Sequence, residues 1–252
     1  MHRVRPLDEI WFDGAGSAGR EYDWERIGRL VQETQPEAMV FHLGPATIRW
    51  IGNEDGLASD PVDYVVRDSA LNVHDDATVD FGTARYLPPE CDVSLRTGWF
   101  WNAQDAPKTL DHLLTIHDRS WGLGAGLLLN IPPDTRGRID PHDARRLDDL
   151  AAALDSRYGR RRELEMLGTD GCGTRFGGGP AEARRLELRE DLTRGQRILA
   201  HRVRDADGRV VAEGRSVGVR RIHPVPDGAD LTCLTVELDG DDPRLDGVAA
   251  FL

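Results

Sequence analysis

The first half of the chain alternates short apolar runs of period two with longer stretches of helical periodicity. In "DEIWFDGAG", residues 8–16, Ile10 and Phe12 alternate with Glu9, Trp11 and Asp13, which predicts a strand over 7–13. Glycines 14, 16 and 19 then lead into "DWERIGRLVQETQ", where Trp24, Ile27, Leu30 and Val31 share one helical face and Asp23 can cap the first turn. Pro36 stops this helix, and "AMVFHL" at 38–43 predicts the next strand, followed by a long loop through "IRWIGNEDG". After a polar, weakly patterned segment at 57–86, "CDVSLRTGWFW" reads as a strand running into a loop. Leu110, Leu113, Leu114 and His117 then recur at helical spacing until Gly122 and Gly124. "GLLLNIPP" at 126–133 predicts a buried strand, and Asp140 with Pro141 opens a helix that runs to Gly159.

A strand-then-helix rhythm of this kind predicts a parallel sheet wrapped by helices. Near residue 168 the pattern breaks in the glycine-dense "GTDGCGTRFGGGP", read as a domain boundary made of a linker or turn. Beyond it, "ARRLELRED", "RILAHRVRD", "VVAEGRSVG" and "LTCLTVELD" are short alternating runs separated by turn residues such as Asp207-Gly208. The expectation is an α/β domain over residues 1–165 and a small all-β domain, a sandwich, over 166–252.

Charge narrows the function classes. The 252 residues carry 32 Lys plus Arg against 44 Asp plus Glu, a net charge of −12, which argues against a broad phosphate-binding surface and so against nucleic acid. No run of about 18 apolar residues exists, and Asp8, Glu9 and Asp13 stand where a signal peptide needs an apolar core. The expectation is no membrane partner and, as written, a cytoplasmic chain, with compartment otherwise unknown. Cys91, Cys172 and Cys233 are far apart, the eight histidines are scattered, and "HDD" at 74–76 reads as a solvated loop. No metal and no cofactor is expected.

The chemistry points to carboxylates. Two of them at the ends of neighbouring strands are the minimum equipment for glycoside hydrolysis, and Asp13 with Glu54 fits that description better than any other pair. A retaining enzyme uses one as nucleophile and the other to protonate the departing oxygen. Trp11, Trp50, Trp99 and Trp101, four of six tryptophans, fall in the same strand ends and loops, where they could stack on sugar faces or serve as ordinary core. Arg49, five residues before Glu54, suits either a sugar hydroxyl or a surface salt bridge.

Four blocks in order, "EIWFDGA", "GPATIRWIGNEDG", "PPECDVSLRTGWFW" and "LLLNIPPDTRGRI", resemble the α-L-fucosidases of glycoside hydrolase family 29, particularly the bacterial branch acting on α-1,3- and α-1,4-linked fucose. "LREDLTRGQRILAHRV" and "GRSVGVRRIHPVP" look like the discoidin, galactose-binding type of β-sandwich that follows the barrel in these enzymes. The resemblance implies Asp13 as nucleophile, Glu54 as general acid/base and Trp11 as a wall of the fucose pocket, with Arg49, Trp50, Trp99 and Trp101 as substrate-binding candidates. It implies a fucosylated oligosaccharide as substrate and, as fold, the C-terminal portion of a (β/α)8 barrel of the TIM type followed by the sandwich.

Family members begin with a long segment that builds the first strands of the barrel and supplies sugar-gripping histidines and aromatics. Here Asp8 is preceded by seven residues. The expectation is a truncated form with about half a barrel, whose missing half comes from a segment absent from this sequence, which could also carry an export signal, or from a separate chain. Two readings follow: a retaining α-L-fucosidase, or a catalytically silent remnant that binds carbohydrate weakly.

Overall fold

The computed structural model describes residues 5–13, 19–70 and 78–252. "HDD" at 74–76 lies outside the described residues.

Strand β1 (Glu9–Trp11) pairs in parallel with β2 (Met39–Phe41), and the helix between them, α1 (Trp24–Thr34), starts where Asp23 accepts the N–H of Arg26. A single parallel bridge, Phe41 to Ile48, joins β2 to β3 (Arg49–Trp50). The polar stretch with no clear pattern folds into an antiparallel hairpin, β4 (Val65–Ala70) and β5 (Thr78–Tyr86). The parallel order then resumes: β6 (Pro89–Ser94) lies between β3 and β7 (Gly126–Asn130). Helices α2 (Leu110–Arg119) and α3 (Pro141–Tyr158) follow β6 and β7. Val93 and Leu95 pack with Leu113 and Ile116 of α2, while Leu147 and Leu150 of α3 and Leu127 and Leu129 of β7 close the cluster. Fully burying such side chains stabilises by about 1.5–3 kcal/mol each, so this outward layer fixes β6 and leaves its other face for Glu90, Asp92 and Ser94.

The remaining strands form two antiparallel sheets. One has the order β13-β12-β15-β10-β9: Val210–Arg215, Ile198–Arg204, Cys233–Gly240, Gly173–Gly177 and Glu165–Asp170. The other has the order β14-β11-β16-β8: Arg221–Pro224, Arg185–Glu190, Leu245–Phe251 and Arg161–Glu163. Phe176, Ile198, Leu234 and Val236 of the first share one core with Leu186, Leu188, Val248 and Ala250 of the second. The glycine-dense stretch read as a linker or turn holds the turn of the β9–β10 hairpin, and at Gly173 a side chain would not fit, since a Cβ would sit 2.5 Å from the Val236 carbonyl oxygen. β8 belongs to the second sheet although it precedes that stretch.

The two parts meet around Tyr64, which is 1% exposed. Its hydroxyl donates to the Gly124 carbonyl and accepts the Val219 N–H at 3.1 Å, and its own N–H donates to Gln196 Oε1 at 2.8 Å. Burial pushes the phenol up to about 12, so it stays a donor. Gly124 (φ 94°) must be glycine here, because a Cβ would lie 2.7 Å from the Arg220 oxygen and 2.9 Å from the Tyr64 hydroxyl. Beside it Arg221, 4% exposed, forks onto Asp60 at 3.0 and 2.8 Å, and buried His201 and His223 face each other with 2.7 Å between their Nε2 atoms.

Candidate active site

Alternation along β1 puts Glu9 and Trp11 on one face, with Asp13 next in that series at the C-terminal end. Trp11 stacks on Phe41 of the neighbouring strand, centroids 4.0 Å apart and planes 5° apart, and its indole N–H donates to Glu9. Asp13 is exposed beyond the strand. Two strands along, Trp50 is 5% exposed and donates its indole N–H to Asp92 Oδ1 at 2.6 Å, with His42 edge-on to its ring. Asp13 and Glu54 therefore follow alternate strands, β1 and β3, with β2 between them, rather than the neighbouring strands the sequence suggested.

Glu54 stands exposed on the loop after β3. Asn53 shapes this loop, its side chain accepting the Asp55 N–H at 3.0 Å and donating to the Leu57 carbonyl at 2.9 Å. Gly56 (φ 73°) presses the loop onto Val93 and Ile116, which a Cβ would meet at 2.8 and 2.9 Å. Glu54 is then held from the far side: Trp99, on the loop after β6, donates its indole N–H to Glu54 Oε2 at 2.9 Å.

Electrostatics tie the three strands together. Asp92, 5% exposed, is pushed up to about 6 by burial, and the carboxylates of Glu54 and Asp13 act on it in the same direction, against the Trp50 hydrogen bond. Deeper in the array Glu90 is pushed up to about 8 by burial first, then by Glu9, with which it shares a hydrogen bond, and by Asp92. Asp13, Glu54 and Asp92 thus share one electrostatic neighbourhood, with the Glu9–Glu90 pair beneath. Such an arrangement offers anionic and protonated carboxyl groups side by side, the requirement of acid/base and nucleophilic chemistry at an acetal carbon.

The structure brings together Asp13, Glu54, Trp11, Trp50 and Trp99 on this side. Trp101 is elsewhere, donating to Asp140 Oδ2 at 3.3 Å at the start of α3. Arg49 lies next to Cys91, which packs with Val62 and Tyr64, and its guanidinium donates to the carbonyls of Asp63 at 3.0 Å and Trp50 at 3.3 Å. Asp92, Glu9 and Glu90 were missed by reading the sequence. The usable signal was strand alternation, since Glu90, Asp92 and Ser94 are polar at every second position of an otherwise apolar strand. Among the described residues no group of three His, Cys, Asp or Glu side chains could hold a metal ion, and no helix is long and apolar enough to cross a membrane. A cavity of about 760 Å³ lies between the aromatic loop and α3, lined by Arg96, Asp105, Asp140 and Arg145 among others and by none of the carboxylates above.

No protein-family model matches the chain. Over 158 residues, 60% of this chain, it is 33% identical to α-L-fucosidase 1 of Arabidopsis thaliana and covers 31% of that protein. The crystal structure of SpGH29 superposes on 98% of the chain with a TM-score of 0.80 at 26% identity, 64% of SpGH29 being covered. A Bacteroides ovatus structure does so with 0.82 at 27% identity, 48% of it being covered. The chain therefore spans about a third of the plant relative and about half to just under two thirds of the two structures. Beside the carboxylate geometry, these likenesses make the chain similar to part of the length of an α-L-fucosidase and of structures of glycoside hydrolase family 29.

Proposed function

We propose that the chain carries the catalytic carboxylates of a retaining α-L-fucosidase that removes terminal α-L-fucose from fucosylated glycans. The observation that supports this most is the placement of Asp13 and Glu54 around one buried carboxyl, Asp92, whose proton affinity both raise. In this reading Asp13 attacks the anomeric carbon as the bond to the leaving oxygen breaks, and Glu54 protonates that oxygen. The fucosyl ester on Asp13 is then opened by water that Glu54 deprotonates, returning both carboxyls to their starting state and releasing fucose with its α configuration. Trp11, partly exposed, supplies flat apolar surface for the sugar, while Trp50, buried with Phe41 and Ile48, supports Asp92 from within. Arg49, on strand β3, and Trp101, on the loop after β6, are turned elsewhere here and make no contact with the carboxylates in this arrangement.

The parallel strands β1-β2-β3-β6-β7 are read as the C-terminal part of a (β/α)8 barrel, and the two antiparallel sheets as the sandwich after it. Among the described residues β1 has β2 as its one sheet neighbour and β7 has β6, leaving both edges open to further strands. A polypeptide segment that adds those strands, in the same or another chain, is the partner this reading requires. The open edges also favour the second reading, a silent relative that binds carbohydrate weakly.

Hydrolysis of 4-nitrophenyl α-L-fucoside and of a Lewis-type oligosaccharide, with Asp13→Asn as control, separates the two. Turnover above the control supports the enzyme, and its absence supports the silent relative. Proton NMR should show α-fucose as the first product, and β-fucose first would remove Asp13 as nucleophile.

A further inference from the structure

Behind Glu54 lies a buried ion pair that the proposed chemistry does not use. Arg96, 2% exposed, directs Nε at both oxygens of Asp143, 3.0 and 2.8 Å away, and Asp143 is fully buried at the start of α3. A second arm of the guanidinium, NH1, donates to the backbone carbonyls of Asn102 (3.1 Å) and Asp105 (2.6 Å). These carbonyls belong to the loop that follows β6, the loop that carries Trp99. The loop is also closed at its base, where Thr97 donates twice to Asp105 and Lys108 reaches the carbonyls of Ser94 and Arg96. Asn130 of β7 pins the Trp99 carbonyl at 3.0 Å. Toward the carboxylates this assembly sends Trp99 Nε1, which donates to Glu54.

We infer that Arg96, anchored by Asp143, is a positioning residue for Glu54: it fixes the shape of loop 97–107 so that the Trp99 indole N–H meets the Glu54 carboxyl. This rests on the reading of Glu54 as the general acid/base. An exposed carboxylate on a loop has several rotamers of similar energy, and one fixed donor selects among them. The guanidinium fork suits this task because it serves one carboxylate and two carbonyls at once, which a lysine ammonium at the same place cannot do.

The test uses Arg96→Lys with Trp99→Phe and Glu54→Gln as references. The first readout needs no turnover: the indole N–H signals of the six tryptophans in a 15N correlation spectrum, with that of Trp99 assigned by its loss in Trp99→Phe. In folded Arg96→Lys the Trp99 signal should move toward its position in Glu54→Gln. An unmoved signal overturns the inference. The second readout is kcat on two substrates. Loss of acid positioning should lower turnover of the fucosylated oligosaccharide about tenfold, a modest part of what general acid catalysis supplies, and leave 4-nitrophenyl α-L-fucoside within about twofold, since nitrophenolate needs little protonation. Equal loss on both substrates would mark Arg96 as merely structural and also overturns the inference. If Arg96→Lys does not fold, Asp143→Asn, which keeps an acceptor for Arg96 Nε, is read by the same criteria. Should the native chain show no turnover while the Trp99 signal moves as expected, the fucosidase reading fails and the positioning role stands.

Discussion

His201 and His223, from different sheets, are buried against one another beside the Arg221–Asp60 pair. Burial is the largest cause that pushes both imidazoles down, to about 3 for His201 and about 4 for His223; Arg221 adds to it at both, the charge of His223 adds to it at His201, and Asp60 opposes. A base whose folded value is depressed lets the unfolded chain bind the proton first, so stability is lost as pH falls below the ordinary 6.5 and goes on falling toward the folded values. Between pH 7.5 and 5, each histidine crosses about 1.5 pH units of that window. At 1.36 kcal/mol per unit the loss is about 2 kcal/mol for each, about 4 for the pair. Glu90 and Asp92 act with the opposite sign, because their folded values are raised to about 8 and about 6 and they favour the native state as pH falls. Glu90, only half-buried, counts for less than its shift, yet together they are enough to flatten a simple pH scan. The difference between the native chain and His201→Gln/His223→Gln removes that masking. Urea unfolding of both proteins at pH 7.5 and 5.0, followed by tryptophan fluorescence, should show the native advantage shrinking by about 4 kcal/mol. A change below about 1 kcal/mol would refute the reasoning that these imidazoles are held neutral.

Tyr64→Phe should cost about 1–3 kcal/mol in urea unfolding, since the Gly124 carbonyl and the Val219 N–H both lose their buried partner. Gly124→Ala combines a left-handed backbone with two contacts under 3 Å, so a loss of about 2 kcal/mol or more and a Tm lower by roughly 4–8 °C are expected by calorimetry. Trp50→Phe takes away the donor that opposes burial at Asp92, and 13C NMR of the aspartate carboxyls should place the Asp92 midpoint above its present value of about 6.

The parts of the fold legible in the sequence are those written in local chemistry. Asp23 and Asp140 cap α1 and α3 where expected, and Pro141 occupies the first helical position of α3. β4, β5 and β9 were not legible, because these strands are largely exposed and lack an apolar face to alternate with: β5 has no buried residue. The cap of the site was easier to read than its floor. Asp13 and Glu54 advertise themselves next to glycines, whereas Asp92 sits inside "CDVSLR" as one polar letter whose meaning depends on Trp50, 42 residues away. Arg96 is harder still, since its three partners lie in a loop and a helix that only the fold brings near.

The strand order of the second antiparallel sheet sets a timetable for synthesis. β16, Leu245–Phe251, lies between β11 and β8, yet among the described strands it comes last in the chain. Until it has cleared the ribosome, Leu186 and Leu188 on one side and the Arg161–Glu163 strand on the other have no neighbour to join them. The seam that holds Tyr64 must wait as well, because Gly218 donates to Glu190 on β11 just before the Val219 N–H that reaches the phenol. Folding of this sheet therefore waits for β16, and the parallel strands with the carboxylates emerge long before their support.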